Sequence, residues 1–369
     1  MCNNNDEEYM KLAINEAKKG IGFTSPNPVV GCVIVKNNNI IGTGYHKKHG
    51  TPHAEVNALA NCLKKGNDAT GSTMYVTLEP CSHTGTTPPC TEAIIKSNIS
   101  RVVIATSDPN PKAFGGYNIL KKAGIDVQIG IMEEEAKQLN EIFFHFITTG
   151  TPFVLQKYAM TLDGKIATHT GASKYITGAE SLERVHFDRH KYTAIMVGIG
   201  TVLADNPKLN CRLLNDSIDP VRIICDTNLR MPIDSYLVNT AKNIRTIIAT
   251  ANENKQKIFR QKGVEFINVP TSKSGIDLSV LMKELAKTGI DSILLEGGSQ
   301  LHWSALESGI VSKINVYIAP KIFGGSSALS PVGGIGVDTP NQSFTFKNIK
   351  TYSFGQDFMI EATPHKEQH

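Results

Sequence analysis

Tryptophan occurs once in 369 residues, and the formal net charge is only +4. Recognition of structured nucleic acid relies on a strong basic patch with interleaved aromatics, and this chain supplies neither. No uninterrupted apolar run approaches the roughly 20 residues that a membrane-spanning helix needs. The N-terminus, Met1 to Glu8, is polar and partly acidic, unlike a signal peptide. Seven cysteines, an odd number with no signal peptide, point to reduced thiols and a cytoplasmic location. There is no G-x-G-x-x-G, so the ordinary dinucleotide fingerprint is missing. What remains is an ordinary composition, 40% hydrophobic and 20% charged, on a chain long enough for two domains.

The richest stretch runs from His53 to Cys90. It reads His53-Ala54-Glu55, then Glu79-Pro80-Cys81-Ser82-His83, then Pro88-Pro89-Cys90. One imidazole and two thiolates are three ligands for Zn²⁺, and three protein ligands leave a position open for water. An H-x-E followed by P-C and a second Cys is the signature of zinc deaminases, in which the glutamate shuttles protons rather than binding metal. The usual C-x-x-C is stretched here, since eight residues separate Cys81 from Cys90. The Gly and Pro residues between them suggest a loop that bends back on itself. The alternatives are a structural zinc site or two buried free thiols. His83 is a rival ligand, but its Gly/Pro-rich surroundings favour a turn or substrate-facing role.

Periodicity predicts helices over 7–19, 54–64, 91–97, 117–123 and 132–146, and strands over 29–35, 40–45, 73–78, 101–106 and 125–129. Asn37-Asn38-Asn39 reads as a hairpin turn. Thr149-Gly150-Thr151-Pro152 marks a boundary, and we place the domains at 1–148 and 149–369. Beyond it the pattern predicts strands over 153–160, 193–198, 221–225, 246–249, 292–295 and 313–320. Helices are expected over 181–190, 278–287 and 301–308, and 198–207 reads as a Gly-started loop. Glu296-Gly297-Gly298 lies between a strand and a helix, where an anion could be cradled, although tight packing is the commoner cause of such glycines. Asn27, between two prolines, reads as turn chemistry, and Arg189, Arg212 and Glu296 singly read as surface charges.

Taken together, the motifs resemble the RibD family of bifunctional riboflavin-biosynthesis deaminase/reductases. The resemblance rests on Pro26-Asn27-Pro28, Gly44-Tyr45-His46, Pro52-His53-Ala54-Glu55-Val56, Thr77 to His83, Thr87 to Cys90 and Asp108-Pro109-Asn110-Pro111. In the second half it rests on Thr161 to Lys165, Ile176-Thr177, Thr201 to Pro207, Glu296-Gly297-Gly298 and Ile318 to Lys321. It implies an α/β chain with a cytidine-deaminase-like three-layer α/β/α domain followed by a dihydrofolate-reductase-like domain. The first would be a zinc deaminase of a pyrimidine nucleotide, and the second would use NADPH to reduce the ribosyl side chain to ribityl. His53, Cys81 and Cys90 would bind one Zn²⁺, with Glu55 catalytic and Asn27 and His83 at the substrate. Ala159, Tyr175, Thr201, Asp205, Thr227 and the loop from Gly298 resemble NADPH contacts. Ser173, Arg189, Leu209, Arg212 and Glu296 resemble substrate contacts, and Asp163 is a candidate contributor. The chain departs from the family at Thr86 and near Gly116, where basic residues are usual, with Lys47, Lys48 or Lys112 as substitutes. It also has Tyr175 in place of a common Trp. A small-molecule substrate and a homo-oligomer are expected, with no nucleic-acid or membrane partner. The competing function is deamination of another base, with the second half as a nucleotide-binding module.

Overall fold

Two sheets organise the chain, one in each of the units into which it divides, Met1–Gly150 and Thr151–His369. The computed structural model describes residues 4–83, 88–111, 113–213 and 216–365. Thr86 and Lys112 therefore lie outside the described residues.

The first unit runs α1 (Asn4–Lys18), β1 (Gly31–Lys36), β2 (Asn39–Tyr45), α2 (Ala54–Lys64), β3 (Thr73–Leu78), α3 (Cys90–Lys96), β4 (Arg101–Thr106), α4 (Gly116–Lys122), β5 (Asp126–Ile129), α5 (Glu133–Leu139) and α6 (Glu141–Thr149). Its five strands are ordered β2-β1-β3-β4-β5, with β1 antiparallel to both neighbours and β3, β4 and β5 parallel. Side chains alternate across the sheet. Cys32, Ile34, Met74, Val76, Val102 and Ile104 pack on α2, α3 and α4, while Val33, Val35, Tyr75, Val103 and Ala105 pack on α1 and α5. The three-layer α/β/α expectation holds. Asn37 and Asn38 turn the first hairpin at φ 50° and 61°, a region asparagine tolerates better than most residues.

One expected helix is in fact two. The pattern over 132–146 breaks at Asn140, whose side chain accepts from Val29 N (2.9 Å) and donates to Val29 O (2.9 Å). Its backbone leaves the helical region (φ −105°, ψ 22°), so the chain turns there to let this buried amide clamp the segment entering β1.

The second unit runs β6 (Phe153–Thr161), α7 (Ala179–Lys191), β7 (Ala194–Gly198), α8 (Ile199–Asp205), β8 (Val221–Cys225), α9 (Tyr236–Asn239), β9 (Thr246–Thr250), α10 (Gln256–Gln261), β10 (Glu265–Asn268), β11 (Thr271–Ser272), β12 (Gly275–Ile276), α11 (Leu278–Lys287), β13 (Ser292–Gly297), α12 (Ser299–Glu307), β14 (Lys313–Ala319), β15 (Phe346–Phe354) and β16 (Asp357–Pro364). Its large sheet is ordered β10-β9-β8-β7-β13-β6-β14-β16-β15. The strands from β10 to β14 run parallel, and the β15–β16 hairpin closes the far edge antiparallel. One face packs on α11 and α12, the other on α8, α9 and α10.

The expected loop over 198–207 is instead α8. Ile199 and Val202 are buried one turn apart, and Asn206 ends the helix in the left-handed region (φ 39°) just before Pro207. A short helix with a single buried face escapes a periodicity search, which needs more than two turns. Among the described residues, no helix is long and apolar enough to cross a membrane.

Candidate active sites

In the first unit the carboxyl end of β3 and the starts of α2 and α3 converge. His53 is the residue immediately before α2, with extended backbone, and Cys90 opens α3. Cys81 follows β3 by three residues. Gly44 makes this approach possible, since a Cβ there would lie 2.3 Å from Ala58 N and push α2 off the sheet. The result places His53 Nδ1 3.5 Å from Cys81 Sγ and 3.3 Å from Cys90 Sγ, and all three ligand atoms lie within 4.8 Å of one another. Two soft sulfurs and an imidazole at this spacing are a donor set suited to Zn²⁺. The Cys90 N–H also donates to Cys81 Sγ at 3.4 Å. The Cys90 hydrogen bond, with His53 beside it, draws Cys81 down to about 4, and Cys90 is pushed up as the donor of that bond.

His53 and Cys81 border a cavity of about 280 Å³ that also contacts Asn27, Glu55 and His83. Glu55 is buried, and burial raises its carboxyl above the usual range. The cavity wall adds residues that the sequence reading did not single out for function: His46, His49, Glu79, Asp108, Asn110 and Phe143. His46 stands edge-on to His53, ring centroids 5.3 Å apart, and its Nδ1 is 3.3 Å from Pro52 O. Burial, opposed by a backbone bond to Asn110 N, lifts Asp108 to about 6. Glu79 faces backbone rather than metal, accepting from Asp108 N (3.3 Å), Gly115 N (3.1 Å) and Tyr117 N (3.0 Å). It thereby ties the start of α4 to the Cys81 loop. Gly116 completes that join, because a Cβ would sit 1.9 Å from Pro80 O, so close backbone contact accounts for the glycine there.

In the second unit the parallel strands end at a cavity of about 550 Å³, within the range of small-molecule and cofactor sites. Thr201, Asp205, Thr227, Gly298 and Ser173 all line it. The Gly298 N–H donates to Thr201 Oγ1 at 3.3 Å, and Gly297 and Gly298 both have positive φ, so bare backbone faces the cavity beside the start of α12. The remaining expected cofactor contacts lie outside its lining. Ala159 packs with Val185 and Tyr317, and Tyr175 is 77% exposed with its carbonyl held by Lys321 Nζ at 3.0 Å. Asp163 lies outside the lining as well. It accepts from Thr161 Oγ1, Phe323 N and Gly324 N, latching the 323–324 loop.

Next to this cavity in the sheet is a charged cluster. Arg189 on α7 grips Glu296 at the end of β13 with both prongs of its fork, Nε–Oε1 2.7 Å and Nη2–Oε2 2.8 Å, while Nη1 donates to Asn210 O at 3.0 Å. Arg189 and Glu296, both expected at the substrate, are thus brought together as one ion pair. Arg212 donates to Asn210 Oδ1 at 2.8 Å and remains the more available cation. Leu209, expected at the substrate, is buried in the core with Ile195 and Val202. Lys157 was missed. Register sets Leu295 beside Gln156, one residue before Lys157, and the Glu296 carboxylate acts on the Lys157 ammonium. Burial lowers the ammonium's pKa, while Glu296 pulls it back up. A lysine inside a strand reads as an ordinary edge or surface residue from sequence, and only the register reveals its neighbour.

Known proteins carry both patterns. A family profile described as "RibD C-terminal domain" matches residues 152–360, and one described as "Cytidine and deoxycytidylate deaminase zinc-binding region" matches 3–106. The riboflavin biosynthesis protein RibD of Actinobacillus pleuropneumoniae is 51% identical over 359 residues, covering 96% of this chain and 94% of that protein. Its counterpart in Escherichia coli K12 is 39% identical over 355 residues, 94% and 96% of the two chains. The crystal structure of a diaminohydroxyphosphoribosylaminopyrimidine deaminase/5-amino-6-(5-phosphoribosylamino)uracil reductase from Thermotoga maritima superposes with a TM-score of 0.85 at 39% identity, covering 98% of this chain and 99% of that one. Acinetobacter baumannii RibD does so with a TM-score of 0.87 at 37% identity and the same coverage. The chain belongs to the RibD family of riboflavin biosynthesis, in which a zinc-dependent deaminase and an NADPH-dependent reductase share one polypeptide.

Proposed function

We propose that the first unit deaminates 2,5-diamino-6-ribosylamino-4(3H)-pyrimidinone 5′-phosphate at ring C2. The second then reduces the ribosyl side chain to give 5-amino-6-ribitylamino-uracil 5′-phosphate. The observation carrying this reading is the meeting of His53 Nδ1 with both sulfurs beside a buried Glu55. His53, Cys81 and Cys90 would hold Zn²⁺, which when bound makes water nucleophilic near neutral pH. Glu55 takes one proton of the attacking water and gives it to the ring nitrogen, then takes the remaining hydroxyl proton and gives it to the departing amine, which leaves as ammonia. Its burial supports this role, because burial raises the carboxyl above its ordinary range and strengthens its hold on a proton. Asn27 and His83, on the cavity wall, would hold the pyrimidine and ribose.

In the second unit NADPH supplies hydride, held by Thr201, Asp205, Thr227 and Gly298, with Ala159 and Tyr175 completing the site when it is filled. Ser173, Arg189, Leu209, Arg212 and Glu296 frame the substrate, Arg212 facing its phosphate. The opening sugar oxygen must receive a proton as hydride arrives at C1′. Glu296 is held ionised, and burial holds His186 neutral at about 4, so neither donates at pH 7. Lys157, on which the Glu296 carboxylate acts, is the donor we assign, and burial lowers its hold on the proton. Lys157→Met is expected to reduce turnover by about 10²-fold or more with NADPH affinity unchanged. Unchanged turnover on the deaminated substrate would remove Lys157 from the mechanism.

The decisive test is metal removal from the full chain. Chelation should abolish ammonia release and zinc should restore it, while NADPH oxidation continues on substrate that is already deaminated. Ammonia release surviving complete loss of zinc would overturn the deaminase reading. A cytoplasmic location and a homo-oligomeric assembly belong to the same proposal, and sedimentation of the purified chain tests the assembly.

A further inference from the structure

We infer that Arg230 reads the 2′-phosphate of the dinucleotide and so makes the second unit prefer NADPH to NADH, an inference that rests on the cofactor reading above. Among the described residues lining the second cavity, Arg230 is the one cation and Asp205 the one carboxylate; the rest are apolar, hydroxyl- or thiol-bearing, amide or glycine. The cofactor carries its phosphates in two places. A pyrophosphate can be met by backbone N–H groups at a helix start, and the cavity is lined by one at Gly298–Gln300, where α12 begins. A 2′-phosphate is a separate, nearly doubly charged group that calls for a cation.

The strand order places Arg230 correctly for it. Glu296, Lys157 and Gly298 stand at β13 and β6, so the reacting end of the cofactor belongs there. Thr227 and Arg230 follow β8, two strands away across β7, which at the usual strand spacing is about 10 Å. An extended dinucleotide spanning the carboxyl ends of these strands puts its adenosine end at β8.

The loop holding Arg230 is built rather than loose. Asp226 is fully buried, and its Oδ2 accepts from Met231 N at 2.8 Å. Leu229 N–H donates to Asp226 O at 3.2 Å, and Leu229 itself sits at φ 53°, an uncommon conformation for a branched residue. Residues 226–231 thus form a pinned turn with exposed Arg230 near its tip. Thr227 and Ser274, both bearing hydroxyls, line the same cavity as Arg230. A guanidinium with hydroxyl donors in one cavity is a set matched to a phosphate.

The test measures binding rather than turnover. NADPH, NADH, 2′,5′-ADP and 5′-AMP are titrated against the zinc-loaded full chain and against Arg230→Gln, by nicotinamide fluorescence or calorimetry. Wild type should bind NADPH more tightly than NADH, and 2′,5′-ADP more tightly than 5′-AMP. Loss of charge-assisted bonds to the phosphate should weaken NADPH and 2′,5′-ADP by about 10- to 100-fold, with NADH and 5′-AMP within about 3-fold of wild type. Arg230→Lys should recover part of the preference. If Arg230→Gln weakens all four ligands equally, or none, the assignment to Arg230 fails while the cofactor site stands. If wild type binds neither dinucleotide, the cofactor reading fails with it.

Discussion

Glu55→Gln is expected to cut ammonia release by about 10²- to 10⁴-fold while the chain keeps one zinc per molecule. Glutamine preserves the shape and hydrogen-bonding length of the side chain but cannot take a proton. Because Glu55 is buried beside the three ligand atoms rather than among them, metal binding should not depend on its charge. Metal analysis and ammonia assay on the same preparation separate the outcomes. If zinc is lost along with activity, Glu55 is a ligand; if activity persists, the proton shuttle lies elsewhere. NADPH affinity serves as the internal control, since it belongs to the other unit.

Arg189→Met should destabilise the second unit by about 3–5 kcal/mol, the usual cost of leaving one partner of a buried ion pair uncompensated. Arg189 and Glu296 side chains are 13% and 9% exposed, so solvent cannot take over the lost contact. Burial pushes Glu296 up, yet Arg189 and Lys157 outweigh it and hold the carboxyl down at about 2. Its folded pKa is therefore below its ordinary value of 4.5. The stability it contributes is fully present above about pH 4.5 and disappears as pH falls toward 2. Urea unfolding of the full chain, followed from pH 7 down to 3, should show this acid loss in wild type and a weaker one in Arg189→Met. The double variant Arg189→Met/Glu296→Leu should regain much of the stability without regaining reductase turnover. A single variant as stable as wild type would show the pair to be energetically idle.

The first unit was the more legible half, for a physical reason. Its ligands sit at the ends of regular elements, and α2, β3 and β4 announce themselves by period and by flanking turns, with the observed spans of 54–64, 73–78 and 101–106 agreeing with the sequence reading. What escaped there depends on long-range bonding. Nothing local says that Asn140 will hold Val29, 111 residues away, or that Glu79 will face three N–H groups. In the second unit the central strands were legible as short apolar runs, but β15 and β16 were not anticipated. Their exposed, charge-bearing alternation resembles a solvated loop until the edge of β14 gives it a partner.

The break at Gly150/Thr151 has a consequence for supply and demand. Each unit has its own core, yet both are translated from one message, so every ribosome that finishes the chain delivers the two catalysts in equal number. No difference in expression or turnover between separate subunits can let the deaminated sugar compound accumulate for want of its reductase. Only a change in one unit's specific activity can unbalance the sequence of steps.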